Sequence, residues 1–211
     1  MGDLALLDEE IPGVMSGLFE GGLHVTALHN HLNEMSPHVM YMHFAGHGDP
    51  EQLAKGLRRA LEASATPLGG TPSAPAGQLP AQAELEKILG RAGTVGNGVL
   101  QLSVPRAERI TEDGIELLPA MGVATVLNFQ PTADGKAAIT GDFVLTAREV
   151  NPVARALRAG GIAVTAIHQH ALGDTPRLFY MHFWAYDDAP KLARGLRAAL
   201  DLTATAKPPA R

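Results

Sequence analysis

Six histidines recur in two sets with the same internal spacing, and their chemistry is the most specific that this 211-residue chain offers. The first set is His29, His31 and His43, and each member has a counterpart 139 positions later: His168, His170 and His182. Three neutral imidazoles that converge can hold Zn²⁺ or another first-row divalent ion, leaving a fourth position for water or substrate. The sequence therefore predicts a duplicated metal site of the form H-x-H plus a distant histidine.

Other polar residues near these histidines could complete such a site. Residues predicted as further ligands or as the lining of a ligand pocket are Glu34, Tyr41, Asp174 and Tyr180. Glu10 and Glu149 occupy equivalent places at the start of a predicted helix, where an acid is favourable for structural reasons alone. Either glutamate could alternatively act as a metal ligand or as the general base of a metal-dependent enzyme.

A second interpretation gives the same histidines no metal. A sheet face lined by histidine and tyrosine could be a small-ligand pocket or a protein interface of a non-catalytic binding module. The sequence leaves open which interpretation holds, whether the chain is an enzyme, and what its substrate would be.

The histidine sets belong to a longer internal repeat. Residues 2–62 align with residues 141–201 without a gap, so that VTALHNH at 25–31 matches VTAIHQH at 164–170. Three histidines have no histidine at the equivalent position and are expected on the surface: His24, His38 and His47. Repeats of this kind define the structural unit and must be recognised before a fold is assigned.

Each copy shows the pattern β-α-β-β-α, with the histidines on the hairpin between the two helices. Alternation along a strand places His29 and His31 on one face together with Val25 and Ala27. A turn near Ser36 would pair His29 with His43 across the hairpin, while Leu28 and Ile167 would point to the helix-covered core. We therefore predict an α+β fold of duplicated modules, with an antiparallel sheet, helices on one face and a ferredoxin-like character.

The chain divides into four predicted segments: a partial first module at 1–62, a Pro/Gly/Ala-rich linker at 63–80, a complete second unit at 81–203 and a flexible tail at 204–211. The first module lacks the helix and strands that precede the repeat in the second unit. Its sheet should therefore carry an open edge. That edge is expected to pack against the second module or to form a homodimer.

Composition restricts the possible partners. The net charge of −5 and the pI of about 6.0 argue against a nucleic-acid-binding surface. The chain contains no apolar run of the ~20 residues that a membrane-spanning helix needs, and Met1 is not followed by a signal segment. Because there is no cysteine, disulfides and thiolate ligands are excluded, and a bound metal ion or small molecule must rely on other side chains.

Three motifs carry a resemblance to a known family: VTALHNHL at 25–32, YMHF at 41–44, and the GDFVLT and EVNPV segments within 141–153. At these motifs the chain resembles the LppY/LpqO-type family of bacterial lipoproteins, which look like two tandem copies of a domain of unknown function. The resemblance implies an extracytoplasmic bacterial protein and a two-unit architecture, but no reaction. We expect this chain to lack the family's signal segment, its lipid-attachment cysteine and the front half of its first unit.

Overall fold

A computed structural model describes residues 1–69 and 81–206, which form two compact units. The first comprises Met1–Thr71 and Gln169–Leu172, and the second comprises Pro72–His168 and Gly173–Arg211. Both units combine helices with antiparallel sheets, so the predicted α+β class is confirmed. Most of the predicted linker, from residue 70 onward, lies outside the described residues.

The first unit is a three-stranded antiparallel sheet with two helices. Its elements in chain order are β1 Gly2–Leu7, α1 Ile11–Glu20, β2 His24–His29, β3 Val39–Ala45 and α2 Pro50–Leu61. The strand order is β1-β3-β2, so that β3 is central. One face of the sheet packs with the helices around Leu6, Val14, Leu18, Met42 and Phe44, all buried. The histidines of β2 and β3 therefore lie on strands whose other side chains anchor the core.

The second unit contains the same succession of elements within a larger sheet. Its elements are α3 Gln82–Leu89, β4 Thr94–Gly96, β5 Val99–Pro105, β6 Thr111–Glu112, β7 Ile115–Glu116, a 3₁₀ turn Pro119–Met121, β8 Ala124–Pro131, β9 Ala137–Thr146, α4 Ala147–Ala159, β10 Ala163–His168, β11 Asp174–Thr175, β12 Leu178–Asp187 and α5 Ala189–Leu200. The large sheet has the order β10-β12-β9-β8-β5-β4, and β11, β6 and β7 form a small separate sheet. The run β9-α4-β10-β12-α5 follows the order of β1-α1-β2-β3-α2.

A bulge in β2 changes which side chains share a face. Val25 lies opposite Phe44 and Ala27 lies opposite His43, so β2 contains one extra residue, Thr26, at this point. Val25 consequently packs against the core, and the prediction that it shares a face with the histidines is wrong. The register shifts in the same way between Val164 and Ala166 of β10.

The hairpin register also differs from the prediction. His29 lies opposite Tyr41, two residues from the predicted partner His43, because the hairpin is centred one residue before Ser36. Leu28 and Ile167 are 39% and 48% exposed, and the prediction that they are buried is wrong. Both residues lie on edge strands of their sheets, where the helices cover the strand less completely than at the centre.

The two helices of each repeat approach each other at a pair of glycines. A Cβ atom added to Gly56 of α2 would lie 2.6 Å from the carbonyl oxygen of Gly21, which follows α1. The equivalent pair in the second unit is Gly160 and Gly195, where an added Cβ on Gly160 would lie 3.0 Å from the Cα of Gly195. Side chains larger than hydrogen would force the helices apart. Within the described residues, every helix is too short or too polar to cross a bilayer.

The start of the predicted tail is held to the second unit. Arg106 and Thr205 form an antiparallel bridge, and the backbone N–H of Ala206 donates to the carbonyl of Pro105 at 2.9 Å. The backbone N–H of Ala204 donates to Glu149 at 2.9 Å. Residues 207–211 lie outside the described part of the chain.

Candidate metal centre

Three histidines of the first unit converge on one side of its sheet. His29 ends β2, His31 follows in the loop, and His43 lies on the central strand β3. One ligand nitrogen from each can be chosen so that all three lie within 4.8 Å of one another. The Nε2 atoms of His29 and His43 are 2.8 Å apart. His43 is only 5% exposed, so the group is anchored at its buried side.

The hydrogen bonds of His29 define which of its ring nitrogens has a lone pair for a metal ion. Its Nδ1 lies 3.1 Å from the carbonyl oxygen of Asn30, which can only accept a hydrogen bond, so Nδ1 carries a proton. The Nε2 atom then accepts a hydrogen bond from His43. Burial lowers the pKa of His29, and the Asn30 hydrogen bond only partly offsets this. His29 is therefore held neutral with its Nε2 lone pair directed at the group, as metal ligation requires.

His31 reaches the group from outside the strand. The sequence places it on β2, but β2 ends at His29, and ring stacking positions His31 instead. Its ring lies parallel to that of Tyr41, with centroids 3.4 Å apart and an interplanar angle of 5°. Burial and the nearby charge of Asp3 raise the pKa of Tyr41, so its hydroxyl stays protonated at neutral pH.

Asp3 joins this face; its place after glycine at a strand start indicates, from the sequence, only a turn or sheet-edge residue. On the edge strand β1 it lies directly opposite His43, and its Oδ1 is 3.8 Å from the Nε2 of His43. Its side chain remains 40% exposed, yet partial burial raises its pKa to about 6, against a smaller lowering by the backbone of Leu4. The Gly-Asp pair recurs at 141–142, and this repetition was the available signal. It could not be used without knowing the register of β1 on β3.

The second unit repeats the hydrogen-bonded histidine pair. The Nε2 atoms of His168 and His182 are 2.7 Å apart, and Nδ1 of His182 lies 3.2 Å from the carbonyl of Gly141. His168 pairs in register with Tyr180, and His182 pairs with Asp142. His170 follows two residues after β10, within Gln169–Leu172, which groups with the first unit.

Tyr180 is more enclosed than its counterpart Tyr41. It is 2% exposed, whereas Tyr41 is partly exposed. Burial strongly raises the pKa of the Tyr180 hydroxyl, with further raising by the charges of Asp142 and Asp174. The hydroxyl is therefore neutral at physiological pH and can donate a hydrogen bond.

The carboxylate of Glu149 forms hydrogen bonds and a buried ion pair within the second unit. It forms a capping box with Thr146 at the start of α4 and accepts the backbone N–H of Ala204. Its carboxylate also pairs with Arg106 at 2.8 Å, both side chains being almost fully buried. Burial alone would raise the pKa of Glu149, but the hydrogen bonds from Arg106, Thr146 and Ala204 lower it to about 2. Sequence analysis did not identify Arg106, because its partner is distant in the chain.

Glu10 makes the corresponding backbone contact in the first unit. Its carboxylate accepts the N–H of Leu7, the last residue of β1, at 2.8 Å, as Glu149 accepts that of Thr146. It also accepts the N–H of Ala65 at 2.6 Å. These two hydrogen bonds lower its pKa. The contacts are those of a residue that joins the end of a strand to the start of a helix.

The two acids that lie between the long strands of each hairpin, Glu34 and Asp174, have different surroundings. Glu34 is exposed. Asp174 is 6% exposed, accepts the backbone N–H of Leu178 at 2.7 Å and pairs with Arg177 at 2.7 Å. Among the described residues, the side-chain groups suited to a metal ion include neither acid. His24, His38 and His47 are exposed, as expected, and His38 contacts Asp8 at 2.9 Å.

Comparison with known proteins identifies a family for the chain but assigns no activity to it. No curated protein matches the chain. A family model described as Domain of Unknown Function matches residues 1–63 and 83–202, which include both repeats in full and most of the segment that precedes the second repeat. The chain therefore belongs to the family of the Domain of Unknown Function (DUF1259).

Proposed function

We propose that this protein binds a divalent first-row metal ion through His29, His31 and His43. The observation that carries the proposal is the convergence of three imidazole nitrogens within 4.8 Å of one another. Recurrence of the same residues extends the proposal to a second set: His168, His170 and His182. Zinc is the simplest candidate, since imidazole and the absence of thiolate suit a borderline ion.

The observed geometry needs little change to accept an ion. In a tetrahedral site with Zn–N distances of about 2.0–2.1 Å, neighbouring ligand atoms lie ~3.3 Å apart. His29 and His43 would separate slightly from 2.8 Å, and the ion would replace the proton that they share. The carbonyl of Asn30 would keep the ring of His29 oriented, as outer hydrogen-bond partners do in metal sites.

A three-histidine ion keeps open coordination positions, which gives the site a chemical use. Such an ion lowers the pKa of a bound water or polarises a carbonyl or phosphoryl oxygen of a substrate. The carboxylates of Glu10 and Glu149 accept backbone N–H groups beside the first helix of each repeat, so we assign both glutamates structural roles. If the ion supports hydrolysis, the proton acceptor must come from another group on the histidine face.

The alternative of a metal-free binding face is favoured by a different observation. The hydrogen bond between His29 and His43 and the stacking of His31 on Tyr41 form a self-consistent arrangement without an ion. A planar aromatic ligand could then stack on the same face. This alternative predicts binding that chelators do not affect.

Metal analysis of protein purified without a histidine tag or nickel column separates the two functions. Metal binding predicts stoichiometric zinc, iron, manganese or cobalt after purification, or uptake of added Zn²⁺ by the metal-free protein. A protein that contains no metal and takes up no more Zn²⁺ than a histidine-poor control protein would overturn the proposal.

A further inference from the structure

We infer that Asp3 is a fourth protein ligand of the ion in the first unit, converting three histidines into a three-histidine, one-carboxylate site. This inference rests on the proposed function and specifies the chemistry of the same site. It assigns a role to a residue that the motif H-x-H plus a distant histidine does not contain.

The register of the sheet places Asp3 on the histidine face. Asp3 lies opposite His43 on adjacent antiparallel strands, and residues in that relation project to the same side of a sheet. Its Oδ1 approaches Nε2 of His43 at 3.8 Å, and this is the nitrogen that also faces His29. The carboxylate thus lies on the histidine face beside His43, but outside the set of ligand atoms that are within 4.8 Å of one another.

The second repeat shows the same strand register. Asp142 lies opposite His182 on the neighbouring strand, as Asp3 lies opposite His43. In each unit the carboxylate also raises the pKa of the tyrosine on the same face, Tyr41 or Tyr180. Two sheets that differ in size therefore keep the same set of histidine, tyrosine and aspartate.

The distance and exposure of Asp3 allow ligation. Ligand atoms around a tetrahedral ion lie ~3.3 Å apart, so the 3.8 Å separation from His43 must shorten by about half an ångström. The carboxylate lies outside the set of histidine ligand atoms that are within 4.8 Å of one another, so its side chain must also rotate towards the other two histidines. The side chain is 40% exposed on an edge strand, which leaves its rotamer room to adjust. A nearby cation would also offset the desolvation that disfavours the ionised form of a partly buried carboxylate.

A carboxylate changes which ions the site prefers and how they react. It adds a hard oxygen donor and reduces the net charge of the ion and its ligands from +2 to +1. Oxygen and imidazole ligands together suit Zn²⁺, Fe²⁺, Co²⁺ or Mn²⁺, whereas Cu⁺ prefers sulfur. The ligand class is therefore a divalent ion of this group, and water or an anionic substrate would bind by raising the coordination number above four.

Cobalt titration tests the assignment because the visible spectrum of Co²⁺ reports its ligands. The experiment uses the full chain carrying His168→Ala, which takes one of the three histidines out of the second set, and compares it with the same chain carrying Asp3→Asn. Asp8→Asn, an exposed aspartate just after the same strand, is the matched control. We expect Asp3→Asn to weaken Co²⁺ and Zn²⁺ binding at least tenfold and to change the Co²⁺ spectrum, with Asp8→Asn unchanged.

The outcomes distinguish this inference from the proposed function. If the His168→Ala chain binds Co²⁺ and Asp3→Asn leaves affinity or spectrum unchanged, Asp3 is not a ligand, while metal binding by the histidines stands. If the His168→Ala chain and the unaltered chain both bind no Co²⁺ or Zn²⁺, both proposals fail. Circular dichroism checks folding, and Asp3→Ser, judged by the same two readouts, replaces Asp3→Asn if the latter is unfolded.

Discussion

Replacing Glu149 with glutamine should destabilise the second unit strongly, because the change leaves the buried Arg106 guanidinium without its main counter-charge. Both side chains are nearly inaccessible, at 3% and 6% exposure, and Glu108 is the other carboxylate beside Arg106. Removal of one partner of a buried ion pair typically costs about 3–5 kcal/mol.

The pKa of Glu149 gives a second value for the contribution of its carboxylate to the free energy of folding. Burial raises this pKa, but the hydrogen bonds from Arg106, Thr146 and Ala204 bring it from 4.5 to about 2. Because one pKa unit corresponds to ~1.4 kcal/mol, the ionised carboxylate contributes about 3 kcal/mol to folding at neutral pH. With a urea m-value of about 2 kcal/mol per molar, the unfolding midpoint of Glu149→Gln should fall by about 1–2 M.

The sign of the pH dependence follows from the lowered pKa. Stabilisation by Glu149 is complete above the unfolded-state pKa near 4.5 and is lost as the pH falls towards 2. The difference between the natural chain and Glu149→Gln should therefore be constant from pH 7 to 5 and shrink below pH 4.5.

Fluorescence of Trp184 provides the assay, because it is the single tryptophan of the chain and lies on β12 of the second unit. Urea unfolding is followed at pH 7, 5 and 3.5. The control is Glu116→Gln, which removes an exposed pair with Arg109 in the same unit and should leave the midpoint nearly unchanged. A Glu149→Gln midpoint equal to that of the natural chain at pH 7 would refute the reasoning.

Three further predictions concern metal binding and the packing of the first unit. Thermal stabilisation by added Zn²⁺ should be clear at pH 7.5 and largely absent at pH 5, because ligation needs neutral imidazole; a shift of equal size at both pH values would argue against histidine ligands. Tyr41→Phe keeps the ring stacked on His31 and should bind Zn²⁺ within about threefold of the natural chain, whereas Tyr41→Ala should weaken binding more, as isothermal calorimetry would show. Gly56→Ala should lower stability by about 1–3 kcal/mol in urea unfolding followed by circular dichroism, since its Cβ would meet the carbonyl of Gly21; an unchanged midpoint would contradict the close helix contact.

The helices and long strands were predictable because their signals are local. Asp188 caps α5 and Pro190 follows at its first turn, so the sequence itself marks where the helix Ala189–Leu200 begins. The apolar run at 98–105 corresponds to β5, whose buried and exposed residues alternate. The repeat then transferred the assignment of α5 to α2 in the first copy.

The candidate site was predictable in its residue types but not in its geometry. The repeat identified the histidines and tyrosines, whereas the bulge at Thr26 and the end of β2 at His29 have no distinct sequence signal. Both depend on how the hairpin packs on the helices. The position of Asp3 required the pairing of β1 with β3, a contact between residues about 40 positions apart.

Calorimetric titration of the metal-free full chain with Zn²⁺ at pH 7.5 tests the central claim most directly. We expect up to two ions per chain, no uptake after combined His29→Ala and His168→Ala replacement, and undiminished uptake after His24→Ala and His38→Ala, which alter exposed histidines. If only the chain with His29→Ala and His168→Ala loses Zn²⁺ uptake, the ions bind at the repeated histidines. The account would be contradicted if the heat of Zn²⁺ titration were no greater than that of a histidine-poor control protein. It would also be contradicted if both double variants lost the same amount of Zn²⁺ uptake.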